Sequence, residues 1–251
     1  MKKLCFIGTS HLGSVASAWH QRIAPLYPEF ESTFFAGPGT SLYQAEFLPD
    51  QIIAPAESQL EEYFKLSAHG QTTIHLKDYD CFIFQSLDHH FIGISELCQQ
   101  MAIENEDEQI FFSLACLAST VDSSIERSPI YSYVKHIRTH VQTPIMVSMT
   151  PKTSILALEK HPKEYAPYLQ YAELFQNLFK ESCSRLLDYP ALTIIEQPEE
   201  TLATPYFTKV EYLNPYGKQN LANVTDYWHK NVKYGKVTLL KILEQVKSLK
   251  L

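Results

Sequence analysis

Lys2-Lys3-Leu4-Cys5-Phe6-Ile7-Gly8-Thr9-Ser10-His11 is the stretch on which the fold turns. Its apolar run, Leu4 to Ile7, is entered from two lysines and closed by Gly8, which suits a short buried strand better than a helix. Thr9 and Ser10 stand where they can cap the next segment. From Gly13 to Leu26 the residues Val15, Ala18, Trp19, Ile23 and Leu26 recur at helical spacing, so a helix is expected to end near Pro25 or Pro28. Strand, tight turn and helix form the first unit of a layered fold.

The same unit recurs along the chain. Ser32 to Ala36 reads as a second strand, stopped by Gly37-Pro38-Gly39; Cys81 to Phe84, entered from Asp78-Tyr79-Asp80, reads as a third. Ile145 to Ser148 and Leu192 to Ile195 supply a fourth and a fifth. Between them, helical patterns run over residues 57–66, 92–103, 130–141 and 165–187, the last with Leu169, Ala172, Leu174, Phe175, Leu178 and Phe179 on one broad face. A closing helix, 232–249, turns Val237, Leu240, Leu243 and Val246 inward and Lys233, Lys236, Lys241 and Lys247 outward. The mixed stretch from Phe111 to Ser128 shows no clear period. Five short apolar strands separated by helices predict a three-layer α/β sandwich around a mainly parallel sheet, with residues 1–251 forming a single domain. Ligands of such sheets bind outside the carboxyl ends of the strands. Ser10, Gly37, the segment from Gln85 to His90 and Thr150 all come directly after strands.

Composition narrows the function. A formal charge of −7 over 251 residues lacks the basic balance expected of a nucleic-acid-binding protein. The five cysteines, Cys5, Cys81, Cys98, Cys116 and Cys183, form no C-x-x-C pair and read as free thiols in a reducing compartment. The first apolar run is too short for an export signal, and no stretch approaches the roughly 18 apolar residues of a membrane span. A soluble cytoplasmic protein is the expectation. Gly8 to Gly13 lacks both the middle glycine of G-x-G-x-x-G and the lysine of a P-loop, and Asp88-His89-His90 has no further ligand at a diagnostic metal spacing.

The chemistry stands at the two ends. A serine hydroxyl is a poor nucleophile until a base takes its proton, and a histidine held by a carboxylate is the usual activator. Asp226-Tyr227-Trp228-His229 places a carboxylate and an imidazole three residues apart, just before the last helix. Ser10, on a turn that ends a strand, can expose its hydroxyl and aim its own N–H at a developing oxyanion.

Gly8-Thr9-Ser10-His11, the glycine after the second strand, and Asp226-Tyr227-Trp228-His229 with Asn231 and Tyr234-Gly235 beyond it resemble the blocks of the SGNH, or GDSL-like, hydrolase superfamily. The resemblance implies a flavodoxin-like three-layer fold with about five parallel strands. It also implies Ser10 as nucleophile, His229 as base, Asp226 as its carboxylate, and Gly37 as an oxyanion donor, with Gly39 competing for that place. Two departures stand out. Thr9 occupies the usual aspartate position, and the third block offers Ser86-Leu87-Asp88-His89-His90 where the family has an asparagine. His89 fills that place by position, because a neutral imidazole can donate a hydrogen bond and an ionised aspartate cannot.

The expectation is therefore a serine esterase or O-acyltransferase working through an acyl-enzyme on a small-molecule or carbohydrate ester, an acetyl group on a sugar in particular, with no metal or organic cofactor. The alternative is a non-catalytic carbohydrate-binding or scaffold protein that keeps the fold.

Overall fold

The computed structural model describes residues 1–38, 40–87, 112–214 and 224–249. In chain order the elements are β1 (Lys2–Gly8), α1 (Leu12–Ala18), β2 (Phe30–Ala36), β3 (Glu46–Leu48), β4 (Gln51–Ile53), α2 (Gln59–Ser67), β5 (Thr73–His75) and β6 (Cys81–Leu87). Then come α3 (Leu114–Arg127), α4 (Pro129–His140), β7 (Ile145–Met149), α5 (Ile155–Lys160), α6 (Pro162–Leu186), β8 (Leu192–Ile195), β9 (Leu202–Thr204), β10 (Phe207–Thr208) and α7 (Val232–Ser248). The five expected strands are β1, β2, β6, β7 and β8. They form one sheet in the order β2-β1-β6-β7-β8, and every pairing within it is parallel. The chain leaves β1 toward one edge to make β2 and then crosses to the other side to make β6. The carboxyl end of β1 is therefore the switch point at which such sheets hold ligands, and Ser10 lies two residues beyond it.

Both faces of the sheet are covered, as a parallel sheet requires. Alternation along the strands sends Cys5, Ile7, Phe82, Phe84, Ile145 and Val147 into one core. Leu4, Phe6, Phe34, Cys81, Ile83 and Met146 enter the other, where residues of α1 and α7 also pack. The unassigned stretch before Ser128 contains α3. Ser113 Oγ caps it by accepting from Cys116 N at 3.1 Å, and Leu117, Val121 and Ile125, four apart, are its buried stripe. The serines and threonines between them hide the period. The strands β3, β4 and β5 form a small antiparallel sheet and β9 with β10 a hairpin; at two or three residues each, they are too short to leave a pattern. The helix expected over 92–103 lies outside the described residues.

The α6 face is buried largely as expected, at Ala172, Phe175, Leu178 and Phe179, with one departure, whereas α7 is turned from its expected face. Leu169 of α6 is 36% exposed, while Tyr165, Tyr168 and Phe175 are buried. In α7 the buried face is Tyr234, Gly235, Thr238, Leu239, Ile242, Leu243 and Val246, with Val237 and Leu240 at its margin. The cause is Gly235. A β-carbon there would stand 1.9 Å from the Ser14 carbonyl oxygen and 2.8 Å from Val15 N, so α7 presents its bare backbone to α1. Among the described cysteines, Cys5, Cys81 and Cys183 are buried free thiols and Cys116 is exposed. No described helix is long and apolar enough to cross a membrane.

Gly235→Ala is expected to force α1 and α7 apart, because the obstructing atoms are backbone and cannot rotate away. The expected loss is about 1–3 kcal/mol, the range of overpacked cores. It should show in urea unfolding as a lowered midpoint with an unchanged slope.

Candidate functional site

The α1–α7 contact brings the two ends of the chain together over the switch point. Ser10 Oγ lies 2.7 Å from His229 Nε2, across a separation of 219 residues. His229 Nδ1 lies 2.6 Å from Asp226 Oδ2. With Nδ1–H donated to the carboxylate, Nε2 carries the lone pair and accepts from the serine hydroxyl. The Asp-x-x-His spacing lets one side chain hold both the ring and the turn that carries it. The other carboxylate oxygen, Oδ1, accepts from the backbone N–H of Trp228 at 2.9 Å and of His229 at 3.1 Å. Burial pushes the Asp226 carboxyl up, but the hydrogen bonds from the His229 ring and the two backbone N–H groups outweigh it and hold the group below the usual aspartate range.

The segment around the histidine is fixed from several sides. His229 O accepts from Asn214 N at 3.0 Å, and Asn231 N donates to Tyr212 O at 2.9 Å. Asn231 caps α7 through Oδ1, which accepts from Lys233 N and Tyr234 N. Its amide nitrogen donates to the carbonyls of Glu211 and Leu213. Ser154 N donates to Tyr227 O at 3.0 Å. The His11 ring stacks on that of His229, with centroids 5.0 Å apart and planes 25° apart.

Lys230 is not legible as a functional residue in the sequence. It is 4% exposed, and its Nζ donates to Tyr227 O at 3.2 Å and to Trp228 O at 2.7 Å. Both carbonyls belong to the residues between Asp226 and His229. Burial brings its ammonium down to about 7, while the Asp226 charge pulls it the other way. A lysine beside a histidine in a loop gives no sign in sequence of which way it points.

The oxyanion donors fall out differently from expectation. Ser10 is exposed on its turn, and among the described residues no backbone acceptor takes its N–H. Gly37 does not offer an oxyanion its N–H, which is donated to the Gly8 carbonyl at 2.9 Å. Its lack of a side chain serves packing, since a β-carbon would meet Leu42 Cδ2 at 2.6 Å. Gly39, Asp88 and His89 lie outside the described residues. Just before them, Ser86 is 1% exposed with φ +81°, at a register shift where β6 ends. This strained backbone for a residue other than glycine stands on the edge that carries Ser10. Among the described residues no group of three or more His, Cys, Asp and Glu side chains could hold a metal ion.

A cavity of about 340 Å³ opens beside Ser10 and His229. Its further walls include Ser14, Ser17, Asn214, Lys230 and Asn231, and among the described residues Val232 is the one aliphatic side chain that lines it.

No family model matches the sequence, and no curated protein sequence matches it. Solved structures do. An extracellular lipase from Streptomyces rimosus superposes with a TM-score of 0.50 at 11% identity, covering 97% of this chain and 99% of that one. The lipase Lip_vut3 from a goat rumen metagenome gives 0.49 at 11% identity over 97% of both chains. The native aryl esterase of M. smegmatis gives 0.42 at 10% identity, over 99% of this chain and all of that one. At such identities the likeness is one of fold alone: a five-stranded parallel sheet between helices, shared with the Streptomyces rimosus lipase.

Proposed function

We propose that the chain is a serine ester hydrolase or O-acyltransferase that works through an acyl-enzyme on an acetyl ester of a carbohydrate. The observation that carries this reading is the continuous hydrogen-bonded path from Ser10 Oγ through His229 to Asp226, at 2.7 and 2.6 Å. A serine, imidazole and carboxylate in that relation form the apparatus for acyl transfer.

Ser10 Oγ attacks the ester carbonyl carbon while His229 Nε2 takes its proton. Asp226 stabilises the imidazolium and keeps the ring in its tautomer. The tetrahedral oxyanion forms near the N–H of Ser10 and collapses as His229 returns the proton to the leaving alcohol. Water or a sugar hydroxyl then resolves the acyl-enzyme by the same steps in reverse, which is where hydrolysis and transfer part. Lys230 acts on this chemistry indirectly, by gripping the carbonyls of Tyr227 and Trp228 so that the turn cannot shift. The serine hydroxyls and the Asn214 side chain that line the adjoining cavity can meet the hydroxyls of a sugar, which supports a carbohydrate substrate.

Three outcomes test this. A fluorophosphonate should label folded protein at Ser10 and should fail on Ser10→Ala; an unlabelled wild-type protein would favour a binding protein on the same fold. With acetylated sugars or a chromogenic acetate, Ser10→Ala and His229→Ala should each lose at least about 10⁴-fold in kcat, and Asp226→Asn a comparable or smaller factor.

The third concerns Lys230. Its ammonium is depressed to about 7 from the ordinary lysine value of 10.5. Below pH 7 the lysine is charged in both folded and unfolded chains, and the full desolvation cost falls on the fold. Between about pH 7 and 10.5 the folded chain has shed the proton and the unfolded chain has not, so stability rises with pH. Measured by denaturant unfolding at several pH values, wild type should therefore gain on Lys230→Met across that window, by up to about 1.4 kcal/mol per pH unit. A pH-independent difference would rule out a charge buried in this way.

A further inference from the structure

A second cavity, of about 240 Å³, opens at the carboxyl ends of β7 and β8, and among the described residues it shares no lining with the one beside Ser10. Strands in a sheet lie about 4.8 Å apart, so β7 and β8 stand roughly 10–14 Å from β1. One wall is a single face of α6, where Tyr168, Phe175 and Phe179 are all at least nine-tenths buried. Met149 and Leu202 add apolar surface from the end of β7 and from the β9–β10 hairpin. The space exceeds the ~150 Å³ of a cavity that takes up benzene.

The polar part of the lining is fixed in place. Lys152 N donates to Gln197 Oε1 at 2.8 Å, and Gln197 Nε2 donates to the hydroxyls of Thr201 and Thr208, each at 2.9 Å. The Thr208 hydroxyl donates in turn to Lys152 O at 2.6 Å. The backbone that carries the Lys152 side chain is thus held at both its N–H and its carbonyl. The ammonium itself, half-buried in the cavity wall, donates to the Pro205 carbonyl. Among the described residues no carboxylate stands within ion-pairing distance of it. Glu196, which also lines the cavity, is paired with Lys180 at 2.9 Å. Burial lowers the Lys152 ammonium, Lys180 lowers it further, and Glu196 offsets part of this. Among the described residues the ammonium makes no ion pair, although Glu196 acts on it from a distance and Glu199 also lines the cavity, so a ligand carboxylate that reaches Lys152 would supply the missing contact.

We propose that this cavity binds a small monocarboxylate with an apolar body, the body lying against Phe175 and Phe179 and the carboxylate on Lys152. Aromatic walls exclude water around the pair, and a charge-assisted bond in such surroundings is about twice as strong as a neutral one. The site is independent of the acyl-transfer reading, since nothing in it depends on Ser10.

The test is calorimetry with phenylacetate, with hexanoate in place of the ring, and with phenylacetamide as the neutral isostere. Wild-type protein should bind one phenylacetate per chain, and the amide roughly ten- to hundredfold more weakly. Lys152→Met should bring the carboxylate down to the affinity of the amide while leaving the amide unchanged. Leu202→Trp, which fills the cavity from its hairpin wall, should abolish both and serves also if Lys152→Met does not fold. Ser10→Ala should bind as wild type does, which separates a failure here from a failure of the triad. Absence of binding at millimolar phenylacetate, equal affinity for acid and amide, or retention of binding in Leu202→Trp would each overturn the proposal.

Discussion

The bare backbone of α7 at Gly235, lying on the carbonyl of Ser14, is the contact on which the rest of the molecule depends. Helix α1 starts two residues after Ser10, and α7 starts three residues after His229. When the two helices meet at their first turns, the loops that precede them must meet as well. A side chain at position 235 would hold the axes apart by the thickness of at least a methyl group. That displacement would pass directly to the 2.7 Å separation between serine and imidazole. Packing in the core and geometry at the surface are here the same constraint, one helical turn apart.

Given that meeting, the precision of the site comes from hydrogen bonds rather than from apolar burial. Ser10 is exposed, and the His229 and Asp226 side chains are 30% and 27% exposed, so hydrocarbon contacts alone would leave them free to turn. Instead one carboxylate takes three donors from its own turn. Lys230 takes up the two carbonyls of the intervening residues, and Asn231 ties the exit of the loop to residues 211–213. The loop from 226 to 231 is thereby bonded to itself, to the start of α7 and to the segment before Asn214. This is how a site on a loop acquires the rigidity of one on a helix.

The sequence carries the frame of this structure further than its details, for identifiable reasons. The central strands β1, β6 and β7 are buried on both faces and appear as dense apolar runs with sharp ends, while the edge strands β2 and β8 are less buried but still short, apolar and bounded, so all five are readable. Ser10 and the Asp226–His229 pair are readable because the spacing itself encodes a geometry: three residues on a turn, and a residue just past a strand. What fails is whatever depends on direction rather than spacing. The inward face of α7 is set by Gly235 and not by the largest side chains, and Leu169 of α6 yields its expected place to Tyr168. A glycine after β2 points to an oxyanion donor at Gly37, but its N–H turns back to Gly8. Lys230 and the gathering of α6 rings around Lys152 require tertiary structure, since nothing local marks a lysine as buried.

The two lysines show how the carboxyl edge of the sheet divides its charge. Lys230 is almost entirely enclosed, and its carbonyl partners and the nearby Asp226 charge recover only part of the hydration it has lost, so its ammonium still falls to about 7. Removing Asp226 would therefore do more than release the imidazole, because it would also strip Lys230 of its nearest compensating charge and deepen the cost of its burial. Lys152 is less buried and, among the described residues, makes no ion pair, since Glu196 in the same cavity wall is paired with Lys180. Lys230 is tied to the carbonyls of its own loop, whereas Lys152 lines a cavity with room for a ligand. The Ser10 side of the edge thus commits its lysine to its own loop, whereas the β7–β8 side keeps a lysine in a cavity wall, where the proposed carboxylate would meet it.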